Sequence, residues 1–251
     1  MIEVEGVSFH RGPARILMDI SLSIPTGVTA LIGPNGAGKS TLMALMARLL
    51  PLQSGSIRIA GKPVATTPGP EMARTVSILR QDPNVSSRLR VRELVGFGRF
   101  PHSRGRLNAE DNRLIDEALE QFDLTALADR FTDTLSGGQR QRAMIAMAYC
   151  QGSDTMLLDE PLNNLDMFYA RDLMRKLHRV AEEQQKTIVV VLHDINHAGT
   201  HADRIVALRD GRLVVNDRTA SVLVPQTLEA IFGYPMEVVT VGRSPVVLHH
   251  R

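Results

Sequence analysis

Apolar and polar positions alternate over Ile2 to Phe9 and again over Ile16 to Ile24, with Gly12-Pro13 between them. Period-two alternation around a glycine-proline turn predicts two half-buried strands in an antiparallel hairpin region. Val28 to Ile32 has no such alternation: it is a short run of β-branched and apolar residues, followed at once by Gly33-Pro34-Asn35-Gly36 and then by the helical pattern of Ser40 to Leu50. Strand, glycine-rich turn and helix are predicted in that order. Thr155 to Leu158 and Ile188 to Leu192 are apolar on both faces, as parallel strands covered by helices must be. Asp159 and Glu160 follow the first of these strands directly, and His193 and Asp194 follow the second. Ligands of open α/β sheets collect beyond the carboxyl ends of the strands, so three segments are expected to converge on one sheet edge.

Residues 85–149 lack a strand-like apolar run and read as a helical subdomain inserted into the α/β core, which comprises residues 1–84 and 150–215. Asp210-Gly211 marks a turn, and residues 216–251 read as a C-terminal tail too short for a regulatory domain of its own.

Composition narrows the class. Of 251 residues, 43% are apolar and 22% charged, which is a globular balance with material for a sizeable core. A net charge of only +2 gives no nucleic-acid-binding arm. The one dense basic stretch, Arg88 to Arg106, carries six Arg and one acid, Glu93, and reads as a solvated face. Cys150, the single cysteine, closes an apolar run and is expected to pack in the core of a chain kept in a reducing compartment. No apolar run approaches the ~18 residues needed to span a bilayer, and the start has no leader-like pattern, so neither export nor membrane insertion is expected.

Gly33-Pro34-Asn35-Gly36-Ala37-Gly38-Lys39-Ser40 matches the phosphate-binding loop, in the strand-to-helix context that gives the motif its mechanism. Glycines let main-chain N–H groups curl round phosphate oxygens, the helix start adds its positive end, Lys39 adds a point charge, and Ser40 offers a hydroxyl to Mg²⁺. Thr41 follows on the same helix start. The loop alone allows kinases, GTPases and many ATPases, with a nucleotide such as ATP and Mg²⁺ as the expected cofactors, and the rest of the chain must choose among them. A GTPase is disfavoured because none of the lysines (39, 62, 176, 186) sits in an Asn/Thr-Lys-x-Asp segment. Adjacent carboxylates at the end of a buried strand call for a cation or a proton to handle. Asp159 is placed to help hold Mg²⁺ and Glu160 to polarise the attacking water. Leu135-Ser136-Gly137-Gly138-Gln139 opens another helix, with Ser136 as its cap, and makes a second anion cradle that a single active site does not need.

That last segment resembles the signature of ATP-binding-cassette ATPases, and the resemblance covers essentially the whole chain. It implies an α/β phosphate-loop core of that type with an antiparallel β subdomain and a helical subdomain. It also implies that Ser136, Gly137, Gly138 and Gln139 act in trans on ATP held by a second copy. Gln81 resembles the glutamine that contacts Mg²⁺ and the attacking water, Asn163 to Asp166 the loop that crosses the dimer interface through Asn164 and Asp166, and His193 the switch histidine. Gly98-Arg-Phe-Pro-His102, Leu162-Asn-Asn-Leu-Asp166 and Leu192-His-Asp-Ile-Asn196 look like the ATPases of ferric-siderophore importers, relatives of the vitamin B12 importer. The implied partners are a second copy, a polytopic permease and, indirectly, an extracytoplasmic substrate-binding protein, with the chain peripheral on the cytoplasmic membrane face. Haem or vitamin B12 is the alternative cargo. The rival class is a soluble cassette protein of DNA repair or translation, disfavoured by the short Lys39-to-Ser136 interval and the single set of motifs. One position departs from the family pattern: Arg11 stands where an aromatic residue usually stacks on adenine. Arg11 stacking, substitution by His10 or Phe9, and loose apolar contact all remain open.

Overall fold

The computed structural model describes residues 1–80, 88–242 and 244–248. The alternating N-terminal segments form β1 (Ile2–Arg11) and β2 (Ala14–Ile24), an antiparallel pair. The apolar run after them is β3 (Gly27–Ile32), which leads into α1 (Lys39–Met46). Short β4 (Ser56–Ile59) and β5 (Lys62–Pro63) extend the first sheet, in the order β2-β1-β4-β5. After α2 (Gly69–Thr75) the chain enters β6 (Val76–Leu79).

The helical insertion contains α3 (Val91–Gly96), α4 (Phe100–Ser103), α5 (Ala109–Gln121) and α6 (Gly137–Cys150). The chain then alternates through β7 (Thr155–Leu158), α7 (Met167–Glu183), β8 (Thr187–Val191), α8 (Ile195–His201) and β9 (Arg204–Arg209). A tight turn at Asp210-Gly211, both at positive φ, joins β9 to β10 (Arg212–Arg218). Helices α9 (Thr219–Val222) and α10 (Pro225–Phe232) precede a terminal hairpin of β11 (Glu237–Val241) and β12 (Ser244–Leu248).

The central sheet runs β10-β9-β3-β8-β7-β6 and is parallel except for β10. Strands β3, β7 and β8 bury both faces, as their apolar runs require, whereas the edge strand β10 is only partly covered. Val28, Ala30 and Ile32 of β3, with Ile188 and Val190 of β8, face the core shared with the helical subdomain. Leu31, Val189 and Val191 point the other way, into the core shared with α1 and the antiparallel sheet. The expected α/β core, antiparallel β subdomain and inserted helical subdomain are therefore all present.

Four details differ from the sequence reading. Helix α1 stops at Met46 instead of Leu50, because Arg48 turns into the left-handed region at φ 57 and its guanidinium binds the Thr67 carbonyl. The read boundary between residues 215 and 216 falls inside β10, and the tail beyond it adds Val222, Leu228, Ile231 and Val247 to the main core. The basic stretch is not simply a solvated face. Arg90 and Arg92 pair with Asp129 and Asp116, and Arg99 is buried against Asp111 at 2.9 Å. The β1–β2 hairpin is not a regular ladder: its register shifts between Val4 and Val7, between Val7 and Phe9, and between Phe9 and His10. Cys150 is buried as expected, and burial pushes its thiol up to about 12.

Candidate functional site

Strand β3 is held between parallel β8 and β9, so its carboxyl end is a rigid platform for the loop that follows. Gly33 has φ 138, and a Cβ there would fall 2.0 Å from the Leu208 carbonyl oxygen. Gly38, at φ 99, would put a Cβ 2.6 Å from a Leu17 methyl and 2.9 Å from the Ile16 carbonyl oxygen. Only glycine fits either position, and the resulting loop curls its backbone over the start of α1. Lys39 Nζ lies buried beneath, donating to the carbonyls of Gly33 at 2.8 Å and Pro34 at 3.0 Å. Burial lowers its pKa, while Glu160 and Asp159 oppose that shift.

Strand β7 ends beside this loop. The Asp159 N–H donates to Leu79 O on the neighbouring β6, and its carboxylate lies 3.4 Å from Ser40 Oγ. Burial is the largest cause raising the Asp159 pKa, with Glu160 adding to it and Ser40, Lys39 and His193 opposing. A hydroxyl and a desolvated carboxylate turned toward each other beside a phosphate cradle form a hard oxygen donor set, which fits Mg²⁺.

Glu160 occupies the left-handed region at φ 53, a strained backbone for a side chain of this size. That conformation carries its carboxylate to His193, with Nε2 2.6 Å from Oε1, while Asn163 Nδ2 donates to Oε2 at 2.7 Å. Lys39, Ser40, Glu160 and His193 line one cavity of about 470 Å³ with Asn35 to Gly38 and Thr41.

Ser136, Gly137, Gly138 and Gln139 lie elsewhere. Ser136 caps α6 by accepting from the Gln139 N–H, and the Gln139 side chain accepts from the Ser136 N–H, a reciprocal capping box. The glycine pair presses on the loop before α7, where a Cβ on Gly137 would meet Asn164 at 3.3 Å and one on Gly138 would meet Leu165 at 3.2 Å. Asn164 is itself left-handed at φ 65, and Asp166 caps α7 by accepting from the Tyr169 N–H. Signature and loop residues together line a second cavity, which has no residue in common with the first.

Arg11 lines a neighbouring cavity with Ser40, Thr41 and Asp159, while Phe9 is buried in the core. His10 is exposed, and its main chain is held at both N and O by the Gln53 amide. Gln81 lies outside the described residues. Sequence reasoning missed the hold of Asn163 on Glu160, although its position three residues on was a usable signal. It also missed Arg142, whose guanidinium lies 4.7 Å above the Tyr169 ring at the second cavity.

A family model described as ABC transporter matches residues 17–163. The chain belongs to the ABC transporter family. It is 44% identical to the petrobactin import ATP-binding protein YclP of Bacillus subtilis over 98% of each chain, and 35% identical to the ferric enterobactin transport ATP-binding protein FepC of Escherichia coli over 97% of this chain and 92% of that one. Among solved structures of the family, a metal-chelate type transporter in an inward-facing conformation superposes with a TM-score of 0.83 at 25% identity, covering 98% of this chain and 95% of that chain. A dimeric cassette, MJ0796, in a post-hydrolysis state bound to ADP and phosphate, superposes at 0.77 with 28% identity, over 87% of this chain and 99% of that one. The fold is that of the family's ATPase cassettes.

Proposed function

We propose that this chain binds and hydrolyses ATP as one of two identical subunits that sandwich nucleotide between them, and that it drives import of a ferric siderophore through a membrane permease. The observation that carries the reading is the presence of two anion cradles on one chain with no lining residue in common. Two copies facing each other would close each phosphate loop with the partner's signature.

Gly33 to Thr41 would hold the phosphates, with Lys39 released from its own loop carbonyls to reach them. Ser40 and Asp159, with Gln81, would hold Mg²⁺, which when bound supplies positive charge to the phosphate oxygens. Glu160 takes a proton from the attacking water, whose oxygen bonds to the γ-phosphorus as the bridging oxygen leaves with ADP. His193 orients Glu160 and reaches the γ-phosphate. Asn164 and Asp166 would meet the second copy beside Ser136 to Gln139. The chain would sit on the cytoplasmic membrane face against its permease, with an extracytoplasmic binding protein delivering cargo.

Identities of 44% and 41% to two petrobactin import proteins and 40% to an iron(3+)-hydroxamate import protein, against 36% to two hemin import proteins, favour siderophore over haem, although the ferric enterobactin protein at 35% does not separate the two. Uptake of radiolabelled ferric siderophore in a deletion strain tests the cargo. Uptake lost in the deletion and restored by the wild-type gene, but not by the Glu160→Gln gene, is expected. Equal uptake in deletion and parent would remove the cargo assignment and leave the ATPase assignment standing.

A further inference from the structure

Helix α8 begins two residues after His193 and is only seven residues long, with two of them, Ile195 and Ala198, buried. So short a helix is marginal by itself, and its position depends on what it docks against. Its first turn is tied at two levels. Asp194 caps it by accepting from the Asn196 N–H at 2.8 Å. The Asn196 side chain then spans 51 residues to the terminal hairpin: Nδ2 donates to Val247 O at 3.1 Å, and Oδ1 accepts from the Val247 N–H at 2.8 Å. A primary amide bonded at both ends to one residue's main chain is fixed in translation and rotation, and the Val247 side chain is buried in the main core beside it.

On the other side, His193 follows Leu192, whose N–H donates to Leu31 O at 3.3 Å on the central sheet. The backbone of His193 is therefore suspended between the sheet and the Asn196–Val247 clamp. Its imidazole reaches Glu160 at 2.6 Å from that suspension.

We propose that Asn196 is a positioning residue for ATP hydrolysis, and that the terminal hairpin β11–β12 acts through it to hold His193 on Glu160. This rests on the roles given to Glu160 and His193 above. None of the clamp groups lines the phosphate cavity, so the hairpin should affect turnover and leave nucleotide binding alone.

The test compares full-length Asn196→Ala, Asn196→Asp, a chain ended after Met236, and that shortened chain carrying Asn196→Ala, with His193→Ala as reference. Asn196→Ala and the shortened chain should each lose roughly ten-fold in kcat, as expected when a general base is misplaced, while ATP Kd stays within two-fold. Asn196→Asp, which keeps the acceptor but not the donor, should fall between. The double change should add nothing to either single change, and the His193 imidazole NMR signals should shift in all four. Turnover within two-fold of wild type in Asn196→Ala, additive losses in the double change, or ATP affinity falling in step with kcat would each overturn the proposal. If His193→Ala itself turns over normally, it is the role of His193 that fails, and the two failures are thereby distinguished.

Discussion

The Nε2 atom of His193 lies 2.6 Å from one carboxylate oxygen of Glu160, while the Asn163 amide holds the other oxygen at 2.7 Å. An ionised carboxylate only accepts, so the proton of the first contact lies on the imidazole. Both oxygens are thus engaged, in a residue whose own backbone is in the left-handed region. Glu160→Gln keeps this shape and removes the base. Steady-state turnover should fall by about 10²- to 10⁴-fold, with ATP affinity within a few-fold and the closed dimer accumulating. Asn163→Ala, which loosens the base without removing it, should fall less. Residual activity of Glu160→Gln within a few-fold of wild type would show that another group activates water.

Arg11 lines the cavity beside Ser40 and Thr41, whereas Phe9 is buried and the His10 main chain is clamped by Gln53. A planar guanidinium can cover a purine face, with stacking worth on the order of 1–3 kcal/mol. Arg11→Ala should weaken ATP binding several-fold and leave the maximal rate largely intact. Arg11→Tyr should retain affinity, and GTP should bind nearly as well as ATP because stacking does not read a base edge. Equilibrium binding of both nucleotides checks this, and a large loss in His10→Ala with none in Arg11→Ala would move the contact to His10.

The buried pair Arg99–Asp111 ties the start of α5 to the end of α6, since Arg99 also donates to Cys150 O at 3.0 Å. Removing one partner of a buried pair costs about 3–5 kcal/mol, so Asp111→Ala should lower the thermal midpoint by roughly 10 °C. The Asn108 N–H and the Arg99 guanidinium hold the Asp111 carboxyl below its ordinary value against the opposing effect of burial. The unfolded chain therefore takes up this proton first as pH falls. The stabilisation from Asp111 is complete at neutral pH and is lost as pH drops from about 4 through the lower folded value. Thermal unfolding scans from pH 3 to 7 should show a shallower acid-side decline in Asp111→Ala than in wild type.

Much of this was legible in the chain because the chemistry sits on strand ends with strong patterns. Val28 to Ile32 and Thr155 to Leu158 announce buried strands by their unbroken apolar runs, and the glycines at 33 and 38 announce a loop that tolerates no Cβ. Long-range polar contacts leave no periodic trace. The burial of Arg99, surrounded in sequence by other arginines, depends on a carboxylate twelve residues away. Likewise the clamp of Asn196 on Val247 depends on a hairpin 51 residues on. The left-handed backbones of Arg48 and Glu160 were hidden for the same reason: unlike Gly, Asn or Asp, side chains of this kind seldom adopt them without surrounding contacts that hold them there.

The phosphate loop and the signature of one chain line separate cavities, and in the proposed dimer each is completed by a second copy. Lys39→Ala chains retain a sound signature, and Ser136→Arg chains retain a sound phosphate loop. Each alone should be inactive, because both sites of its dimer are damaged. The decisive measurement is the ATPase rate of the two variants mixed in equal amounts, with sedimentation under ATP to confirm dimers. Random mixing of two-fold dimers with independent sites predicts recovery of about a quarter of wild-type turnover. No recovery in mixtures shown to be dimeric, or substantial turnover by either variant alone, would contradict the shared site.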